Sequence, residues 1–348
     1  MKLYLHIGTE KTGSSYLQHI AAYNRKKLLQ ENIWYPISTK NEKLMLKGDI
    51  SPGNGQDIAD YINKKEFQTL EKRIAELVEQ AKSQNSNKLL ISNELLLLAL
   101  SSKEALKTFE DSARAAGIKQ VKYLLILRNP VDQALSLYKH RAKSGTAPDI
   151  EYWPIAHYHY GEALLTFFEQ AEKEKIELTC RKYTTQEKGL ETLLFRDWLN
   201  CTGEYYPLNK QVNSSLNLSE LLVIKEMRKQ DEFIAGKLYD AFLELPKSEK
   251  AKDNEMEKYH RLILGNYLSQ YKTTWIACNK KLPKNEHLEI PSEKDTPTET
   301  FINEKKTALS PKQISMLLSL FKKYNNNFFS VQRHIYKLKR IYSSKIKN

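Results

Sequence analysis

Apolar residues in this chain fall into short strand-length runs separated by stretches of helical spacing. Lys2 to Leu29 reads as a strand followed by a helix, and KLLIS at Lys88 to Ser92 as a second, buried strand. Tyr123 to Leu127 form a nearly continuous apolar run, the pattern of a strand covered on both faces, and IELTCRKY, ending at Tyr183, predicts a fourth. Helical spacing fills Phe67 to Gln84, the sequence after Ser92 as far as Ala116, the segment after Pro130, GEALLTFFEQAEK, and most of the chain from Glu187 onward. Polar stretches at Ile37 to Asp57 and Lys280 to Thr307 predict a long loop and a surface excursion. Alternating strands and helices predict an α/β fold: a central parallel sheet with helices on both faces, followed by a mostly helical C-terminal part. The expected division is an α/β core over 1–210 and a helical part over 211–348, with a polar excursion at 280–307 and a basic tail at 330–348.

Two strand ends carry the candidate chemistry. After the first strand comes GTEKTGSS, in which Gly8 and Gly13 permit a tight turn, Thr12, Ser14 and Ser15 offer hydroxyls, and the next helix points its N–H groups at whatever anion the turn holds. This predicts a P-loop-like phosphate-binding loop. It is not a Walker A sequence, which needs Lys directly after the second glycine and then Ser or Thr; here Ser14 follows Gly13 and the loop lysine is Lys11. The second strand end is RNPVDQALSLY. Asn129-Pro130 stops the strand and opens a helix, so Arg128 lies at the carboxyl edge where open α/β sheets bind ligands, and Ser136 follows two turns into the helix, within reach of the same anion.

GTEKTGSSYLQ together with RNPVDQALSLY resembles the sulfotransferases that take their sulfuryl group from 3′-phosphoadenosine 5′-phosphosulfate (PAPS), in particular bacterial carbohydrate sulfotransferases. The first motif looks like their 5′-phosphosulfate loop and the second matches their 3′-phosphate motif in its Arg-Asn-Pro opening, its Ser and its following Tyr. The resemblance implies that Lys11, Thr12, Gly13, Ser14 and Ser15 hold the 5′ end of the donor and that Arg128 and Ser136 hold its 3′-phosphate. It covers residues 1–30 and 85–145 well and is weaker beyond. NKQVNSSLNLSELLVI resembles the loop that closes over the nucleotide in that family, which makes Lys210, Asn213 and Ser215 further donor-binding candidates; a polar N-cap region for a helix beginning near Leu218 explains them equally well.

Composition narrows the class without deciding it. No run in the 348 residues reaches the roughly 20 apolar residues of a membrane span, and the chain opens on a predicted strand rather than a signal peptide, so a cytoplasmic location is expected. Three scattered cysteines, Cys180, Cys201 and Cys278, predict reduced thiols and no metal site. The net charge of +13 suits an anionic ligand, and no nucleic-acid partner is expected. The tail, where Arg333, Lys337, Lys339, Arg340, Lys345 and Lys347 alternate with apolar residues, could form a helix that packs by one face or meets a membrane surface.

Sulfuryl transfer needs a cation at the departing oxygen and a base at the acceptor hydroxyl. Lys11 is the candidate cation. Glu94, directly after KLLIS and followed by four leucines, is the candidate base, because it should emerge at the same sheet edge in surroundings that raise a carboxyl pKa. A carboxylate that only meets a helix dipole is the plainer alternative. The family uses Glu or His as base, which keeps Glu10, His19 and His140 as candidates. Glu10 and His140, with His157 and His159 in the aromatic segment EYWPIAHYHYGE, are candidate acceptor-binding residues; that segment suits sugar stacking or a core edge. The expected activity is PAPS-dependent sulfation of a hydroxyl on a carbohydrate or lipid-linked glycan. A small-molecule kinase and a non-catalytic binder of acidic polysaccharide or nucleic acid are the alternatives; the missing Walker lysine opposes the first, and Lys11, Arg128 and Ser136 together oppose the second.

Overall fold

The computed structural model describes residues 1–38, 42, 46, 53–102, 104–158, 160–183, 187–206, 216–250, 254–293 and 309–324. The sheet-forming part runs β1 (Lys2–Gly8), α1 (Ser14–Tyr23), α2 (Arg25–Gln30), β2 (Ile33–Trp34), α3 (Gln56–Lys64), α4 (Phe67–Ser83), β3 (Lys88–Ser92), α5 (Leu96–Leu100), α6 (Ala105–Ala115) and β4 (Gln120–Leu127). Then come α7 (Pro130–Lys143), α8 (Gly161–Lys173), β5 (Glu177–Lys182) and α9 (Glu187–Thr192), which continues into a wider π turn at Leu193–Trp198. Further on lie α10 (Leu218–Arg228), α11 (Glu232–Glu244), α12 (Asn254–Ser269), α13 (Lys272–Lys281) and α14 (Pro311–Tyr324).

All five strands are parallel, in the order β2-β3-β1-β4-β5. Side chains leave a strand on alternate faces, so each strand feeds two cores. Leu3, Leu5 and Ile7 join Leu89, Ile91, Tyr123 and Leu125 on one face, where α8 adds Leu164 and Phe167 and α13 adds Trp275 and Cys278. Tyr4, Leu90, Leu124 and Ile126 build the other, covered by Tyr16, Leu17 and Ile20 of α1 and by Phe195 and Trp198 of the π turn. The α/β fold with helices on both faces is therefore as expected. The connection leaving β1 leads to the β2–β3 side and that leaving β4 leads to β5, so the carboxyl ends of β1 and β4 flank the point where strand order reverses. That crevice is the usual ligand position in such sheets.

The chain divides into two compact units. One holds the sheet and comprises 1–133, 156–213 and 271–290; the other comprises 134–155, 214–270 and 291–348. The sheet unit is not one continuous stretch: 134–155 joins the second unit and 271–290 returns to the first. The secondary-structure elements described in the second unit are all helical, with Lys225 of α10 buried and its ammonium 2.8 Å from Asp149.

Two expectations from polar composition are corrected. The start of the predicted 280–307 excursion belongs to the sheet unit: Leu288 is buried, its backbone exchanges hydrogen bonds with the Asn279 side chain, and the buried Glu286 carboxylate accepts from the Lys182 amide at 2.5 Å. Residues 294–308 and the basic tail lie outside the described residues. The end of the predicted 37–57 loop is also ordered against the sheet. Where the two-residue strand β2 stops, Asn54 takes over as partner of β3: its amide donates to Ser92 O, its Oδ1 accepts from Ser92 N, and its Nδ2 reaches Leu90 O. Gly53 makes this approach possible, since its φ is +78° and a Cβ there would lie 2.0 Å from Ser92 O. No helix among the described residues is long and apolar enough to cross a membrane.

Candidate active site

The turn between β1 and α1 is held open by two left-handed residues, Gly13 at φ 88° and Lys11 at φ 66°. The glycine is demanded twice over, because a Cβ at 13 would also sit 2.9 Å from Leu190 and 3.0 Å from the Tyr183 ring. Lys11 has no such freedom and adopts a conformation that costs a lysine energy, a feature associated with functional turns. Ser14 and Ser15 open α1, whose first N–H groups find no partner inside the helix and whose first turn carries no acidic residue. Thr12 departs from expectation: it is fully buried and its hydroxyl donates to Thr9 O at 2.7 Å, closing the turn from within instead of facing a ligand.

The end of β4 is stitched to this turn. Arg128 donates from Nη1 to Lys11 O at 3.0 Å and lies 5.1 Å over the Tyr183 ring, while Gln133 donates to Glu10 O at 3.0 Å. Tyr160, buried, donates to Arg128 O at 3.0 Å. Of the aromatic segment before α8, this residue therefore follows the core-edge reading, packing edge-on against Trp275. Arg128 thus lies at the carboxyl end of a central strand, as its sequence position predicted, and in addition reaches the loop. Ser136 and His140 lie half-buried on α7, within the stretch assigned to the second unit. His157 is in a short 3-10 turn, and its side chain and His159 lie outside the described residues, as do Lys210, Asn213 and Ser215. The polar N-cap expected before Leu218 is present: Asn217 and Glu220 form a reciprocal capping box. His19 is buried along α1 with its ring stacked on Tyr23.

Glu94 emerges in the turn after β3, half-buried, at the same sheet edge. The turn is capped by Asn93, whose Oδ1 accepts from Leu95 N at 2.7 Å. Burial raises the Glu94 pKa above the ordinary carboxylate range, the nearby Glu10 charge raises it further, and Lys11 opposes both. The Ser14 hydroxyl also favours the charged form. It falls short of full hydrogen-bond geometry and is a polar neighbour of the carboxylate, not a fixed donor. Glu94, Glu10, Lys11 and Ser14 therefore share one electrostatic neighbourhood.

Sequence reading missed the layer beneath the loop. His6 on β1 is buried, with Nδ1 2.8 Å from Ser92 Oγ, and burial lowers its pKa to about 4. A strand histidine among apolar residues gave no signal beyond its position two residues before Gly8. Because the folded protein holds this ring neutral while the unfolded chain protonates near pH 6.5, the unfolded state takes up the proton first as pH falls. Stability contributed by His6 is thus complete above about pH 6.5 and is lost toward pH 4, by roughly 3 kcal/mol. Chemical denaturation across that window should show the loss, and His6→Asn should flatten it; an equally steep pH dependence in the variant would contradict the assignment.

Around the loop, polar groups are closed off from solvent without a hydrogen-bond partner: His6 Nε2, Thr9 Oγ1, Ser14 Oγ and Gln18 Oε1. Thr9 lies near enough to the Tyr160 hydroxyl to influence it, again outside full hydrogen-bond geometry. Unmet polar capacity is costly in a core. Among the described residues no cluster of three or more His, Cys, Asp or Glu is placed to hold a metal ion. The three cysteines are buried free thiols. No protein-family model matches the chain, and no curated protein or solved structure matches it either.

Proposed function

We propose that the protein is a sulfotransferase that moves the sulfuryl group of PAPS to a hydroxyl of a carbohydrate or lipid-linked glycan, releasing 3′-phosphoadenosine 5′-phosphate (PAP). One observation carries the reading: at a single sheet edge, a left-handed Lys11–Gly13 turn, the Arg128 guanidinium bound to that turn, and the raised-pKa carboxylate Glu94 occur together. The residues suit the donor. Ser14, Ser15 and the N–H groups of the first helical turn would receive its 5′ end, and Arg128 its 3′-phosphate.

Bound PAPS supplies an electrophilic sulfur and a phosphate leaving group. Glu94 takes the proton from the acceptor hydroxyl as its oxygen attacks, and the raised pKa keeps the carboxylate basic enough for that transfer. Lys11 places a positive charge where negative charge grows on the departing oxygen, stabilisation that is larger in the transition state than in the ground state. Its ammonium takes the part that a metal ion plays in phosphoryl transfer, so turnover should need no magnesium.

Lys11→Ala should therefore lower turnover about 100-fold even when sulfur-labelled PAPS is saturating and a bacterial glycan pool serves as acceptor. Turnover equal to the parent's would remove Lys11 from the chemistry, and absence of label transfer by the parent to any glycan in the pool would refute the proposed activity.

A further inference from the structure

The two residues that precede Glu94 are both held by one residue of the neighbouring strand. His6 lies opposite Ser92 in the β1–β3 register; its Nδ1 is hydrogen-bonded to Ser92 Oγ at 2.8 Å, and its carbonyl accepts from the Asn93 amide at 3.1 Å. Glu94 comes next in the chain. From the side away from β1, Asn54 pairs with the Ser92 backbone and Gln56 Oε1 accepts from Asn93 Nδ2 at 3.2 Å. The exit of β3 is therefore tied on both sides, and His6 is its tie to the strand that carries the Lys11 turn.

The same ring reaches that turn. His6 precedes Gly8 by two residues on one face of β1, and a Cβ at Gly8 would lie 3.7 Å from His6 Nε2 and 3.5 Å from Thr12 Oγ1. The imidazole thus spans from the strand that presents Glu94 to the glycine and threonine that shape the Lys11 turn. Burial holds it neutral, with a pKa of about 4, so it joins the two segments without adding a positive charge that would lower the Glu94 pKa. Its effect is on distance. General-base catalysis is sensitive to distance, since a displacement of about 1 Å can cost roughly 100-fold in rate.

We infer that His6 is a positioning residue, whose ring sets where the Glu94 carboxylate stands relative to the Lys11 turn. The consequence for turnover rests on the sulfotransferase reading, but the surroundings of the carboxylate can be measured without donor or acceptor.

The test is a carbon-13 NMR titration of the full chain labelled at its glutamate side-chain carboxyls, with Glu94 assigned by the resonance missing from Glu94→Gln. His6→Leu fills much of the ring's space without the Ser92 hydrogen bond. Ser92→Ala removes only the hydroxyl and keeps the test available if the leucine variant does not fold. Both should let the turn relax toward solvent, which weakens the burial and the Glu10 charge that raise the Glu94 pKa, so its midpoint should fall by about half a unit or more. His6→Asn, whose side-chain nitrogen can replace Nδ1, should restore most of the difference. A purely structural role lowers the melting temperature and leaves the midpoint of the folded protein in place. With PAPS and a glycan acceptor, kcat should fall about tenfold in His6→Leu and Ser92→Ala while PAP affinity stays at the parent's value. The parent midpoint in the folded variants, or PAP affinity falling together with kcat, would overturn the assignment. A lowered midpoint in a protein that transfers no sulfuryl group upholds the role of His6 and refutes the activity; sulfuryl transfer with an unmoved midpoint refutes the role of His6 alone.

Discussion

Glu94→Gln should lower turnover by two to four orders of magnitude, about the contribution of a positioned general base, while PAP affinity and melting temperature stay close to those of the parent. Glutamine keeps the size and hydrogen-bonding reach of the side chain but cannot take the acceptor's proton. Stability should hold because the substitution removes a charge that burial and Glu10 already disfavour, and because Asn93, not Glu94, caps the turn. The pH dependence supplies a second readout. A raised pKa means that the carboxylate ionises later as pH climbs, so the rising limb of kcat in the parent should lie above the ordinary carboxylate range, and it should vanish in the variant. A variant that keeps turnover within a few-fold of the parent would hand the base role to another residue. Glu10 is then the first to test, since it shares the neighbourhood of Glu94, whereas His19 is packed along α1 against Tyr23.

Much of this arrangement was legible in the sequence because strand ends in a parallel sheet obey a strong geometric rule. Apolar runs located β1, β3, β4 and β5, and residues immediately after such runs must emerge at the carboxyl edge, which is why Gly8 to Gly13, Glu94 and Arg128 could be grouped before the fold was known. β2 escaped because two residues, Ile33 and Trp34, cannot display a period. Asn54 escaped for a related reason: a side chain and one amide that imitate a strand leave no apolar pattern, only a polar Gly-Asn-Gly that reads as a loop. The return of 271–290 to the sheet unit was hidden in the same way, since its anchors include Glu286 and Asn279, polar side chains used as hydrogen-bond partners of backbone groups. Thr12 shows the limit of motif reading within a correctly placed loop. A hydroxyl at that position can serve the turn or the ligand, and here it serves the turn.

The Arg128 assignment leads to the second large effect, a sharp preference for a nucleotide carrying a 3′-phosphate. Arg128 is half-buried, held by Lys11 O and supported by Tyr183, so a phosphate bound at its guanidinium gains charge-assisted hydrogen bonds without having to order the side chain. AMP has the same base, ribose and 5′-phosphate but cannot make those bonds. Loss of hydrogen bonds to a charged group costs about 1.5–3 kcal/mol, which is roughly 10- to 150-fold in affinity. Isothermal titration calorimetry of the intact protein with PAP and with AMP, in buffer containing EDTA, therefore tests the central claim most directly. The account predicts that PAP binds at least tenfold more tightly than AMP without magnesium and that Arg128→Ala erases most of the difference; equal affinities for PAP and AMP in the parent protein would contradict it.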